Sequence, residues 1–250
     1  MTHRFFGERL TRNEDPRLLT GQALFVDDVE LPDLGHVAFV RSPFAHARIQ
    51  SVDCEAARSA PGVHGVFSAA DLGDYWRRGP LLVSPPPIER CVFNERTQVI
   101  MARDKVRHLG EIVAVVVADS RYAAEDAAEQ VLVDYEPLEA VVDLEKALQP
   151  EAPLLHDDLD QNLSAHVIQE KGSYEEAKAA ADLVVQRRLF YDRGTAAAME
   201  NRGVVADWDR RSRRLTIWDT TQAPIPIRNG LAAMLGLNEN QVRVIAPFIG

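Results

Sequence analysis

Residues 106–135 read VRHLGEIVAVVVADSRYAAEDAAEQVLVDY, and this stretch decides the fold class of the chain. Ile112 to Ala118 is a continuous apolar run of the length typical of a buried strand. Ser120 is a good helix N-cap, and the alanine-rich residues 121–130 have helical spacing. Because Val131 to Tyr135 again favours a strand, the stretch predicts a strand–helix–strand module. The fold class expected from it is α/β or α+β.

The same alternation of strands and helical turns extends toward the N-terminus. Three further strands are predicted there: His36 to Arg41, His46 to Asp53 and Val63 to Phe67. Ser68 and Asp71 have the spacing of a capping box, which predicts a helical turn directly after the third of these strands. Residues 75–95 contain a Gly-Pro pair and three consecutive prolines, so we predict an irregular loop for them.

The C-terminal part shows a second series of elements beyond a polar, proline-marked stretch at residues 149–165, which predicts an interdomain linker. Ser173 and Glu176 predict a capped helix, and Gly236 predicts the end of another helix that begins near Pro224. Alternation predicts strands at Leu183 to Tyr191, Gly203 to Trp208, Leu215 to Thr220 and Gln241 to Ala246. Four arginines between two of these strands predict a solvated hairpin tip: Arg210, Arg211, Arg213 and Arg214.

Composition excludes several classes of partner. The 250 residues include 38 acidic and 28 basic side chains, and a net charge of -10 argues against a nucleic-acid surface. The longest apolar run is far shorter than the ~20 residues of a membrane helix, so no membrane span is expected. Two cysteines, Cys54 and Cys91, fit reduced thiols in a cytoplasmic protein, and they cannot hold an iron–sulfur cluster by themselves.

No metal site is predicted from the side chains of the chain itself. Its seven histidines include no pair at the three- or four-residue spacing of a helical zinc site. For His46, between a turn and a strand, we favour a structural hydrogen bond over catalysis. Glu200 is flanked by apolar residues, and burial could prepare it as a base. A salt bridge to Arg202 or a hydrogen bond to backbone is the favoured interpretation of Glu200.

Gln222 is the main candidate for a ligand contact. It lies at the corner where the predicted strand from Leu215 ends and the helical pattern near Pro224 begins. Its side-chain amide offers both donor and acceptor groups, and open α/β sheets place ligands at the carboxyl ends of strands. A helix cap or a solvated loop residue would have the same local pattern, so position alone leaves these alternatives open.

Several long segments resemble one known family. They are the WDTTQAP run at residues 218–224, QVRVIAP at 241–247, EDPRLLTG at 14–21 and VRSPFAHARI at 40–49. Residues 110–118 together with 133–138 resemble the signature of an α/β hammerhead domain. On these segments, the chain resembles the molybdenum-binding subunit of the xanthine dehydrogenase family, which includes aldehyde oxidases and carbon monoxide dehydrogenase.

The resemblance implies a domain order. Residues 1–22 would be an extended lead-in, residues 23–148 the hammerhead domain, and residues 149–165 the linker. Residues 166–250 would be the first, incomplete part of the molybdenum-cofactor-binding domain. The resemblance covers nearly the whole chain, so the expected architecture is a hammerhead domain followed by the beginning of a cofactor-binding domain.

The resemblance also implies chemistry. Gln222 would lie beside the molybdenum and hydrogen-bond an oxygen ligand. Gly250, where the family continues into a glycine-rich turn, is a second candidate cofactor-binding residue. The implied cofactor is molybdopterin in its cytosine dinucleotide form, and the implied reaction is hydroxylation of an aldehyde, an N-heterocycle or carbon monoxide with water-derived oxygen. The family's base glutamate has no counterpart in these residues, so no catalytic residue is assigned.

Implied partners are an FAD-binding subunit, a 2Fe–2S subunit, a small-molecule substrate and a further chain that completes the active site. A subunit split in this way would expose apolar surface on its second domain. The alternatives are a non-catalytic hammerhead module for interaction or assembly, and a truncated remnant. The residues determine neither the substrate nor the oligomeric state.

Overall fold

The computed structural model describes residue 7 and residues 9–80 and 89–250. The three consecutive prolines of the predicted loop at 75–95, Pro85 to Pro87, lie outside the described residues. The chain forms two compact units. The larger unit is Pro32–Arg193, and the smaller unit combines the residues up to Leu31 with Gly194–Gly250. The domain order expected from the sequence divides the chain at other positions and stays a prediction.

The larger unit is a mixed helix and strand structure. Its strands are β1 (His36–Arg41), β2 (Ala47–Asp53), β3 (Val63–Ser68), β4 (Cys91–Phe93), β5 (Lys105–Val106), β6 (Ile112–Ala118), β7 (Leu132–Pro137) and β8 (Ala165–Val167). Among the described residues they form three sheets, ordered β1-β6-β3, β5-β2-β7 and β4-β8. Its α-helices are α2 (Glu55–Arg58), α3 (Arg121–Ala128) and α4 (Tyr174–Ala179).

Strand β6 lies at the centre of the first sheet and pairs antiparallel with β1 and β3. Its side chains Ala114 and Val116 are fully buried and pack with Val66 and with Ala127 of α3. The Ser120 hydroxyl accepts a hydrogen bond from the Ala123 amide at 3.2 Å and caps α3. The predicted strand–helix–strand module is confirmed. The apolar run of β6 is continuous, so both faces of this strand can be buried.

Several local predictions are wrong. Leu183 to Tyr191 alternates like a strand, but it forms no strand in the described structure, and its side chains are exposed. Ser173 provides no side-chain cap for α4. Conversely, the predicted irregular loop contains β4, because Cys91–Phe93 pairs with β8 about seventy residues away. Pairing with a distant strand is not visible in a local pattern.

The predicted linker 149–165 packs on the larger unit instead of extending freely. The buried Lys105 ammonium forms an ion pair with Asp157 at 2.7 Å. The Asn162 side chain donates to the carbonyls of Ala147 and Pro153 and accepts from the Leu155 amide. These contacts satisfy backbone groups that a stretch without regular structure would otherwise leave unpaired.

The smaller unit contains α1 (Asp15–Leu19), β9 (Val204–Asp209), β10 (Arg214–Asp219), α5 (Pro224–Leu235) and β11 (Val242–Ile245). Its sheet has the order β11-β10-β9. Strand β9 is antiparallel to β10, and the four predicted arginines lie in or beside their exposed hairpin turn. Gly236 ends α5 with φ 66°, the left-handed conformation that glycine adopts without strain, as predicted.

Residues 24–26, which follow the predicted lead-in and were expected in the hammerhead domain, belong to the smaller unit. The Phe248 amide donates to the Leu24 carbonyl at 3.0 Å, and the rings of Phe25 and Phe248 lie 6.4 Å apart. A Cβ on Gly203 would lie 3.1 Å from a Val26 methyl carbon. The buried Val26 therefore fits closely against Gly203, and residues 24–26 complete this unit from the far end of the sequence.

Among the described residues, no helix is long and apolar enough to cross a membrane. The expected exposed apolar surface is confirmed. Met199, Val204 and Ile225 of the smaller unit are more than half exposed, as are Leu189 and Tyr191 at the end of the larger unit. Exposed apolar side chains are typical of protein-binding surfaces where they form one contiguous patch.

We expect Val116→Ala to lower the free energy of unfolding by about 2 kcal/mol, because it leaves a cavity in the fully buried core around β6. Chemical denaturation of the purified chain measures this value. Val37→Ala in β1 is the matched control, since Val37 is 48% exposed, and its cost should stay below about 0.5 kcal/mol. Equal losses in the two variants would contradict the assignment of the core to this sheet.

Candidate functional site

The candidate site is one edge of the β11-β10-β9 sheet. Strands β10 and β11 are parallel, with Trp218 opposite Ile245, so their carboxyl ends meet at the same edge. Strand β9 runs the other way and begins there, with Val204 opposite Asp219. Three loop segments therefore converge on this edge, residues 200–203, 220–223 and 246–250. We refer to these segments as the sheet edge.

Side-chain and backbone hydrogen bonds hold the corner after β10. The Thr220 hydroxyl accepts from the Gly203 amide at 3.0 Å, while the Thr220 amide donates to the Gly203 carbonyl at 3.1 Å. The Thr221 hydroxyl accepts from the Ala223 amide at 3.0 Å and shapes the turn into α5. The corner is consequently held on both sides of Gln222.

Gln222 lies in the bend between β10 and α5, as predicted from the sequence. Its side chain is exposed, and within the described part of the chain its amide group forms no hydrogen bond. The helix cap that could have explained it is absent, since no side chain caps α5 at its N-terminus. Both the donor and the acceptor of this side chain are thus available to another group.

Gly250 reaches the sheet edge from β11. Its amide donates to the Glu200 carboxylate at 2.7 Å, so the structure brings Glu200 and Gly250 together. The favoured interpretation of Glu200 is confirmed by this backbone hydrogen bond, whereas no ion pair joins Glu200 to Arg202 among the described residues. No local pattern indicates this contact, because its two partners are 50 residues apart.

Asp219 ends β10 directly before this corner and was not singled out by the sequence analysis. Burial raises the pKa of the Asp219 carboxyl above its ordinary value. A carboxylate that loses hydration without a compensating partner is destabilised in its charged form. The signal available in the sequence was an aspartate at the end of an apolar strand, which resembles any strand-end acid.

The remaining candidates have structural roles or lie apart from the sheet edge. His46 is buried in the larger unit, and its Nδ1 donates to the Glu139 carbonyl at 2.7 Å, as predicted. Cys54 and Cys91 are free thiols, and burial raises the pKa of Cys54. Across the described residues, no group of three or more histidine, cysteine or acidic side chains could hold a metal ion.

Comparison with known proteins agrees with this architecture. Residues 20–139 match the model of the aldehyde oxidase and xanthine dehydrogenase a/b hammerhead domain. Residues 155–250 match the model of the molybdopterin cofactor-binding domain. The chain belongs to the xanthine dehydrogenase and aldehyde oxidase family. The sheet edge lies in the smaller unit, whose residues from 194 onward fall within the second of these matches.

The chain is similar to large subunits of this family. It is 37% identical to the nicotine 6-hydroxylase large subunit of Paenarthrobacter nicotinovorans over all of its length. It is 38% identical to the carbon monoxide dehydrogenase large chain of Afipia carboxidovorans over 98% of its length. The structure of quinoline 2-oxidoreductase from Pseudomonas putida superposes on 98% of the chain with a TM-score of 0.87 and 37% identity. The chain spans only 30% of the length of each of these proteins.

We expect Asp219→Asn to raise the unfolding temperature at pH 7. The folded pKa lies above the unfolded pKa, so the cost of burying the charge is fully present above the folded value. It disappears below the unfolded value, near pH ~4, where the carboxyl is neutral in both states. Thermal unfolding across this pH range measures the effect.

Asp207→Asn is the control for this prediction, because Asp207 is an exposed aspartate on β9 of the same sheet. Its unfolding temperature should follow that of the wild type over the whole range. A less stable Asp219→Asn protein at pH 7 would mean that the Asp219 carboxylate forms a favourable contact.

Proposed function

We propose that this chain is the N-terminal part of the molybdopterin-binding subunit of a molybdenum hydroxylase and that its sheet edge receives the cofactor. The observation that carries the proposal is the parallel pairing of β10 with β11, which brings the segments of Gln222 and Gly250 to one edge. Crevices at the carboxyl ends of parallel strands are the usual ligand sites of such sheets.

The residues present fit such a group. The Gln222 amide is exposed and unbonded, so it can donate to or accept from a polar ligand without losing an existing contact. One oxygen of Glu200, Oε1, is buried and lacks a hydrogen-bond partner among the described residues. A buried carboxylate oxygen without a donor is costly, and a polar ligand at this edge would supply one.

In this proposal the bound cofactor supplies the redox and oxygen-transfer chemistry, and the chain supplies position and hydrogen bonds. Gln222 would hold polar groups of the cofactor through its side-chain amide. The Thr220 and Thr221 contacts hold the corner so that Gln222 is presented from a fixed backbone. Gly250 places its backbone at the same edge. No residue of this chain is assigned as the catalytic base.

The finer assignments are those that the family resemblance implies, and they are part of the proposal. The cofactor would be molybdopterin in its cytosine dinucleotide form, and 2Fe–2S and FAD-binding subunits would be its redox partners. A further segment or chain completes the active site beside the exposed apolar residues Met199 and Val204. The substrate is a small aldehyde, N-heterocycle or carbon monoxide, and the complex is cytoplasmic.

Molybdenum content tests the proposal. We expect the tagged chain, purified gently from its native host with its partners, to carry about one molybdenum atom per mole, because one sheet edge accepts one cofactor. Elemental analysis by mass spectrometry measures this ratio. A tagged protein that copurifies with partners but contains no molybdenum would contradict the proposal and favour a non-catalytic assembly module.

We expect Gln222→Ala to lower turnover of the assembled enzyme at least tenfold, roughly the effect of removing one preorganised hydrogen-bonding group. Dye reduction with a panel of aldehydes, N-heterocycles and carbon monoxide measures turnover. Gln22→Ala is the matched control, since Gln22 is an exposed glutamine of the same unit. Copurification of partners should be unchanged in both variants, and full turnover by Gln222→Ala would remove Gln222 from the site.

A further inference from the structure

Glu200 makes a long-range contact that fixes the backbone at the sheet edge. It precedes β9 by four residues, between the fully exposed Met199 and the exposed Asn201. Its Oε2 accepts the Gly250 amide at 2.7 Å, a distance typical of a hydrogen bond to a charged group. Such bonds contribute more than those between neutral groups, so this contact holds residue 250 more firmly than an ordinary turn would.

The two backbones also approach each other closely. A Cβ added to Gly250 would lie 2.7 Å from the Glu200 Cβ and 3.3 Å from the Glu200 amide nitrogen. The first distance is shorter than carbon–carbon contact allows, and neither atom lies at the end of a flexible side chain. The position therefore requires glycine, and the close approach brings the Gly250 amide within reach of the carboxylate.

The second carboxylate oxygen of Glu200 has no hydrogen-bond partner among the described residues, unlike the first. This oxygen, Oε1, is buried. The neighbouring Arg202 side chain is exposed and forms no ion pair with it there. A carboxylate that uses one oxygen inside the protein and leaves the other buried and unpaired is poised to accept a donor.

We propose that Glu200 is a positioning residue at the sheet edge. Its Oε2 fixes the backbone of Gly250, and its Oε1 accepts an N–H or O–H donor of the cofactor bound there. The role of Oε2 follows from this chain alone, whereas the donor for Oε1 rests on the proposed function. The carboxylate would thereby connect the bound group to the loop that follows β11 and to the segment that enters β9.

Amide hydrogen exchange tests the role of Oε2 in the protein purified from its host with its partners. We expect Glu200→Ala to speed exchange of the Gly250 amide about tenfold or more, because it removes a hydrogen bond to a charged acceptor. The amides of β10 should keep their wild-type rates and report that the sheet is folded. Glu30→Ala, at an exposed glutamate of the same unit, is the matched control.

Two further variants keep this test decisive. Glu200→Asp retains the charge but shortens the side chain by one methylene, so exchange of the Gly250 amide should also become faster. This variant replaces Glu200→Ala if the Glu200→Ala protein does not fold. Glu200→Gln retains a carbonyl acceptor, so it should keep the slow exchange. Wild-type exchange at Gly250 in both Glu200→Ala and Glu200→Asp would overturn the role of Oε2.

Glu200→Gln separately tests Oε1. Its carbonyl must face the Gly250 amide, which places an NH₂ group where Oε1 accepts a donor. We expect its molybdenum content to fall at least about twofold below that of the wild type, since two donors then face each other. Wild-type molybdenum content in this variant would overturn the role of Oε1. Absence of molybdenum from the wild type would instead overturn both the proposed function and that role, and the exchange results would stand.

Discussion

Two strands that run in the same direction must be joined by a crossover, and α5 is the crossover between β10 and β11. Leu215 and Ile217 on β10, Val242 on β11 and Ala232 on α5 are buried together and hold this βαβ unit. The order and direction of the strands then determine where the loops after them emerge. The loops after β10 and β11 share one edge, and antiparallel β9 must begin there. The candidate site is a consequence of this packing.

The same edge depends on residues from the beginning of the chain. The Leu24 carbonyl accepts from Phe248, and Val26 fills the space beside Gly203, so residues 24–26 contact two of the three segments. Glycine at position 203 permits this close approach. The Thr220 hydroxyl accepts a hydrogen bond from the Gly203 amide. The site therefore combines two distant parts of the chain, and a fragment that began after the linker would lack this support.

Much of the fold could be predicted from local sequence. The strand at Ile112–Ala118 and the capped helix after it were predicted to within two residues, because a buried strand and an N-cap are encoded by neighbouring residues. The corner at Gln222 was predictable for the same reason. Residues 183–191 show the limit, since their alternation marks a strand that finds no partner in the described structure. Alternation indicates a capacity to pair, and pairing requires a second strand.

The site could be predicted only where its signal was local. Gln222 was found from its position, and its assignment to a cofactor came from the family resemblance. For Glu200 a hydrogen bond to backbone was one of the two favoured interpretations, but its partner Gly250 was out of reach because it lies 50 residues away. Thr220 and Asp219 were likewise missed, since a polar residue at a strand end does not show which backbone group it will meet.

Gln222 and Glu200 serve the sheet edge in different ways, and the difference follows from their bonding. The Gln222 side chain is exposed and unbonded, so a ligand that orders it must offset the loss of its rotamer freedom. Glu200 has already lost that freedom through its bond to Gly250, so its free oxygen is preorganised. A group binding here would meet a fixed hydrogen-bond acceptor in the Glu200 carboxylate and a movable donor and acceptor in the Gln222 amide. This pairing suits a site in which one contact fixes the position of the bound group and the other adjusts to it.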